Sequence, residues 1–419
     1  KKVVRNLVIL LFPVLVICAS LLFPAITGRQ SQWFGINQIA CNSFPDFVHV
    51  LLIAFLFISA CILLLRNNYW RIAGAILILV TMFVFSNNTI NQDGRDLLWK
   101  IPADVELTGA HVVHDEMLEL LSHSIFWSAL NEFSDIGVDL SYQILSVISG
   151  LLFMLLLVKY AEENMGSGKL LFVLLVSSGG FIQLFFGDIE NYTITATIVM
   201  WYFLVASRVL NGKSSTVKAA VILGIAMCFH LEAGFLIPSL AILGLKSSAK
   251  EKPSYFLLLM LIPFAMVFFC MLLLDASGML PFRNLWLYSH VTAHGGNIAS
   301  ILPPLTVPYY LEILNLLILL FPSVLLLPFV IIFARSQLKK IDEFFITATG
   351  FLMLLPLGWK ASLGVQNDWN LFALVAIPGS ILAWSLWMRI SEGKRTLVIL
   401  ALIFSVMNTF SWIWKNHAV

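Results

Sequence analysis

NTINQDGRDLLWKIPADVELTGAHVVHDEMLELLSHSIFWSALNEFSDIGVDL, residues 88–140, is the one long polar stretch in a chain that otherwise reads as successive apolar runs. It carries ten of the chain's 23 carboxylates: Asp93, Asp96, Asp104, Glu106, Asp115, Glu116, Glu119, Glu132, Asp135 and Asp139. Against them stand Arg95 and Lys100, with His111, His114 and His123. A chain that gathers its titratable groups in one loop is expected to place its chemistry there.

The apolar remainder sets the class. The 419 residues are 60% hydrophobic and 11% charged, with a mean hydropathy of +0.93. Soluble domains are about one quarter charged, so the expectation is an all-α polytopic membrane protein. A net charge of +2 and the lack of a basic, aromatic-interleaved face argue against nucleic acid as a partner. Cys18, Cys61, Cys228 and Cys270 fall in apolar runs and Cys41 in a loop, with no metal-type spacing.

A span needs about 20 apolar residues. Candidates are 6–26, 47–65, 72–87, 139–158, 170–187, 192–208, 255–274, 308–334, 343–359, 371–388 and 396–414. The first, after Lys1, Lys2 and Arg5, reads as a signal-anchor. Segment 218–246 is too long for one helix and too short for two full ones. His230, Glu232 and Gly234 interrupt it, so it reads as two short helices meeting at one face. Counted as two passes, it brings the total to about 13 and puts 19 of the 25 Lys and Arg on one side, the cytoplasmic one. The chain is then a single transmembrane domain, 1–419. Residues 1–87 hold the first three spans and 88–138 the outer acidic loop. Central spans occupy 139–274, an outer aromatic loop 275–307, and C-terminal spans 308–419. Within 111–131, Val113, Met117, Leu120, Leu121, Ser124, Ile125 and Trp127 fall near helical spacing with acids and histidines opposite, as in an amphipathic helix at the membrane interface. The 275–307 loop carries Trp286, Tyr288, His290 and His294 and would suit a lid. No nucleotide-binding glycine motif is present.

The order of these parts resembles the GT-C-fold glycosyltransferases, most clearly over 88–210 and less so to about 388. The matching pieces are Asp93 in NQDGRD, the helix around HDEMLELLSH, and the span SYQILSVISGLLFMLLL. They continue with SSGGFIQLFFGDIENYTITATIVMWYF and the broken 218–246 segment. The chain departs from the pattern in placing its acidic loop after the third span rather than the first. The resemblance implies a GT-C-like bundle that moves a sugar from a polyprenyl-phosphate-linked donor to a glycan or lipid acceptor on the outer face.

Such a transfer, if inverting, needs a carboxylate to deprotonate the acceptor hydroxyl and cations or a metal to meet the leaving phosphate. Asp93, just beyond a span and beside Gly94, is the expected catalytic base, with Asp96 next to it. Glu116 matches an acid the family places at the start of the interfacial helix, and His114 neighbours it. The turn Gly187–Tyr192 offers Asp188, Glu190 and Tyr192 for sugar hydroxyls or for a divalent cation such as Mg²⁺ or Mn²⁺. Zinc on His111 and His114 lacks a third ligand. His230 and Glu232 interrupt an apolar run, where ionisable groups default to function. Arg283 and Lys360 are the outer cations suited to the donor phosphate. Asp368, in the cluster Asn367–Asn370, is a substrate contact or a helix cap, and Trp369 an anchor or stacking face. Each of these residues also has a plain reading as a solvated turn, cap or snorkelling group.

Two other functions compete. A polymerase or ligase of lipid-linked glycans would carry its large loop late in the chain. A transporter or flippase would show internal repeats around a midplane site. The expected location is a bacterial inner membrane, with the site facing the periplasm and membrane lipids around it.

Overall fold

The computed structural model describes residues 68–88, 90, 92–247, 253–280, 302–361, 364–365, 367–390 and 395–417. The spans expected at 6–26 and 47–65, most of the 275–307 loop and Arg283 lie outside them. All regular structure among the described residues is helical.

The expected span 72–87 is α1, Asn68–Val84. Ile72, Ile76, Val80 and Phe83 are exposed along it at helical spacing, a lipid-facing stripe. Two helices fold from the acidic stretch: α2, Gln92–Thr108, and α3, Met117–Ser134. The second ends on Asp135, whose φ of 49° places it in the left-handed region that short polar side chains tolerate. α4, Val138–Asn164, follows; its 27 residues rise about 40 Å, enough to join the two poles of the molecule.

Segment 170–187 is not one span. It is α5, Lys169–Ser177, followed by a 3-10 stretch, Gly180–Phe185. The break falls at Gly179 and Gly180, where a Cβ would collide with the Leu320 and Leu319 carbonyl oxygens. α6, Thr193–Leu210, is buried nearly all round, as a helix apolar on every side must be. Segment 218–246 behaves as expected. α7, Thr216–Phe229, and α8, Ile237–Lys246, meet through a 3-10 turn at Leu231–Leu236. α9, Pro253–Ala276, presents Leu257, Leu261, Phe264 and Phe268 outward.

The run 308–334 also divides, into α10, Val307–Leu320, and α11, Leu327–Ala334, with Pro322 opening the 3-10 link between them. α12, Lys340–Leu352, and α13, Leu354–Gly358, precede α14, Ala376–Ile390, and α15, Arg395–His417. Five helical segments are long and apolar enough to cross a membrane, and five shorter apolar ones accompany them, among the described residues. Among the described residues, several of the full passes expected do not form as single helices, because glycine and proline breaks split those apolar runs. α6 and α14 sit in the core, with Trp384 and Trp387 of α14 fully buried.

One pole gathers basic residues. Arg208 donates to both oxygens of Glu163, at 2.9 and 2.7 Å. Lys246 lies 2.5 Å from Glu343, and Arg389 pairs with Asp342. α2 and α3 lie at the opposite end of α4.

Candidate functional site

The N-terminus of α6 is where the acidic helices meet the bundle. The first turn of any helix leaves backbone N–H groups without partners, and here they are buried. Glu119 of α3 supplies the acceptors. Its carboxylate takes the Ile194 N–H at 2.8 Å and the Thr195 N–H and hydroxyl at 2.9 and 2.8 Å. Negative charge at a helix N-terminus is also favoured by the dipole. Burial pushes the Glu119 carboxyl up to about 7, while these hydrogen bonds and His230 pull it down. One turn on, His123 is fully buried, stacks on Tyr142 of α4 at 3.6 Å, and is pushed by burial to about 3.

This reverses an expectation. α3 was to keep its acids and histidines away from its packed face. Instead Met117, Glu119, Leu120, His123 and Ser124 are the buried side, and Ile125 and Phe133 are exposed. α3 also starts at Met117, not at His111. His111 bends back to α2, with Nδ1 2.6 Å from Asp104, so it does not share a helical face with His114.

From Glu119 the polar contacts spread through three segments. The Tyr142 hydroxyl donates to Asn191 Oδ1 at 3.1 Å, and Asn191 Nδ2 donates to Glu116 Oε2 at 2.8 Å. Glu116 Oε1 is 3.5 Å from His230 Nε2. His230 Nδ1 accepts the Glu232 N–H at 3.1 Å. With Nδ1 as the acceptor, Nε2 is the ring's donor; it lies near Glu116 but outside hydrogen-bond geometry. Tyr192 packs against His230 with ring centres 4.6 Å apart. The Asp115 carbonyl accepts the Leu231 N–H at 2.8 Å, pinning the α7–α8 break beneath α3. The acidic loop, the Gly187–Tyr192 turn and the His230–Glu232 break, far apart in sequence, thus form one cluster.

The turn itself is buried rather than displayed: Asp188, Glu190, Asn191 and Tyr192 are all inside. Gly187 makes it possible, with φ +70° and Ser86 Oγ 2.9 Å from where a Cβ would stand. Asp188 accepts from Asn87 at 2.7 Å, and burial holds its carboxyl above the ordinary range with that amide opposing. Glu190 lies within electrostatic reach of Tyr192. The Oδ2 of Asp188, the Oε2 of Glu232 and the Nε2 of His114 are buried with no hydrogen-bond partner among the described residues.

Asp93 lies at the edge of this cluster, in the first turn of α2. Gly94 is a buried helical position, not a flexible joint. Asp93 is open to solvent, yet its surroundings still desolvate it enough to raise its pKa. The charges of Glu116 and Asp96 add to the rise and Lys100 offsets part of it. Asp96 is committed to Lys100 at 3.2 Å.

The remaining expected contacts fall elsewhere. Lys360 is exposed, and Asp368 is buried within electrostatic reach of Tyr309. Trp369 stacks edge-on against Trp412 at 5.8 Å inside the protein, which removes it as a stacking face for sugar. It is Trp369, not Asp368, that stands at the N-cap of the 3-10 stretch Asn370–Val375, with no side-chain cap. No group of three or more His, Cys, Asp or Glu among the described residues could hold a metal ion. Sequence reading passed over Glu119, His123, Tyr142 and Asn191; for Glu119 the local pattern of α3 pointed to a wet face, while the structure buries it. No protein-family model matches the chain, and no curated protein matches it.

Proposed function

We propose that the chain is a membrane glycosyltransferase of GT-C type. It would take a sugar from a polyprenyl-phosphate donor and pass it, with inversion, to a glycan or lipid acceptor at the pole built by α2 and α3. The reading rests on one observation: Glu116 joins the acidic loop to Asn191 and to His230, so the three polar segments share one cluster at the end of the bundle. Opposite lies the basic pole, which fits a cytoplasmic side and leaves the cluster facing the periplasm of a bacterial inner membrane.

The roles follow from surroundings. Glu116 is held by Asn191 and His230, which suits a fixed carboxylate that positions substrate. Asp93 is solvent-open with its pKa raised, closer to the working pH where a general base is most effective. His114, Asp188, Glu190 and Tyr192 line or support the cluster. Arg283 and Lys360 are the cations proposed to meet the donor phosphate.

The test is transfer of labelled sugar from a polyprenyl-phosphate donor by purified protein, with donor binding measured in parallel. Asp93→Asn is expected to bind donor and to lose about 10²–10⁴-fold in turnover. A fully active variant would remove Asp93 as the base. A wild-type protein that neither binds nor consumes such donors would put the buried His230 and Glu232 at the service of transport instead.

A further inference from the structure

At the basic pole, far from the acidic cluster, a cleft of about 1100 Å³ opens between α4, α5, α12, α14 and α15. It is larger than the ~300–1,000 Å³ typical of small-molecule pockets. Its lining is mixed. Leu171 and Leu174 of α5 and Leu402 of α15 contribute an apolar wall, while Lys339 and Arg389 stand among the polar lining residues.

Three features define what the cleft can hold. Both lining carboxylates are already matched, Glu163 by Arg208 and Asp342 by Arg389. The Lys339 backbone N–H donates to Asp342 at 2.7 Å, but its ammonium makes no ion pair among the described residues, so it is the surplus charge of the lining. Ser385, one turn before Arg389 on α14, is only 8% exposed, and its Oγ has no hydrogen-bond partner. A buried hydroxyl without a partner is destabilising, and a ligand oxygen in the cleft would satisfy it. The apolar wall reaches Leu402, seven residues into α15 from Arg395, which is about 10 Å along the helix. A small anion would leave that wall wet. A purely apolar ligand would leave Lys339 and Ser385 unused.

We propose that this cleft binds an anionic phospholipid, its headgroup phosphate at Lys339 and Ser385 and the first part of its acyl chains along α5 and α15. The site is separate from the acidic cluster and does not depend on the glycosyltransferase reading.

The experiment uses the purified full chain in detergent, titrated separately with dioleoyl phosphatidylglycerol, dioleoyl phosphatidylcholine and glycerol 3-phosphate. Unfolding midpoint and bound lipid by native mass spectrometry are the readouts. One phosphatidylglycerol should be retained and raise the midpoint, with phosphatidylcholine at least about five-fold weaker and glycerol 3-phosphate without effect. Lys339→Gln, which removes the charge, and Leu402→Trp, which fills the wall, should each weaken phosphatidylglycerol binding at least about five-fold while the protein stays monodisperse. Leu171→Phe replaces Leu402→Trp if the latter does not fold. Equal binding of the two lipids, an equal shift from glycerol 3-phosphate, or wild-type binding by either variant overturns the proposal.

Discussion

His123 shows how much a single buried ring can decide. It lies flat on Tyr142, neutral, with Glu119 Oε1 4.0 Å from its Nε2. Unfolded it titrates near 6.5, and in the fold burial lowers it to about 3. Between those values the unfolded chain binds more protons, so this group's stabilisation is whole above about 6.5 and is lost as pH falls toward 3. By pH 5 the loss is about 2 kcal/mol. His123→Phe keeps a ring on Tyr142 and has nothing to protonate. Its unfolding midpoint in detergent should therefore gain on wild type as the buffer moves from pH 7.5 to 5; parallel curves would show that His123 is not buried neutral. The sequence announced neither this ring nor Glu119 as interior, because an acid and a histidine four apart read as a wet face. What brings them inside is the unpaired N-terminus of α6, which no pattern local to α3 reveals. The position of Asp93, by contrast, was legible: a carboxylate just past a span, with other acids close by.

At the scale of elements, breaks matter more than helices. Apolar composition alone joined Lys169–Ser177 to Gly180–Phe185 and Val307–Leu320 to Leu327–Ala334, and in both cases the chain turns instead. Only 218–246 was seen as broken beforehand, because His230 and Glu232 made it visibly polar. Gly179 and Gly180 carry the same message in a quieter form, since their role is close approach to the end of α10. Gly180→Ala would force its Cβ onto the Leu319 carbonyl, which is backbone and cannot swing aside. A cost of about 1–3 kcal/mol is expected, measured as a lowered unfolding midpoint. A variant as stable as wild type would mean that the 3-10 stretch after α5 and the end of α10 are not in contact there. Helix existence was legible from hydropathy, whereas helix length depended on contacts between segments more than a hundred residues apart.

For the molecule as a whole, the two poles differ in charge and the exterior between them is apolar. Orientation can be read directly in a cysteine-free background. With the basic pole in the cytoplasm, Glu132→Cys should react with a membrane-impermeant maleimide in intact cells, and Lys213→Cys only after lysis. The reverse pattern would invert the protein and move the acidic cluster to the cytoplasm. The bond between Glu119 and the Ile194 N–H also spans 75 residues of chain. A ribosome adding about 5–20 residues per second delivers Ile194 roughly 4–15 s after Glu119. Through that interval α3 has been made without the helix end it caps. Assembly of the acidic pole is therefore a timed docking event, and slowing or speeding translation between the codons for Glu119 and Ile194 would act on folding yield without changing a single residue.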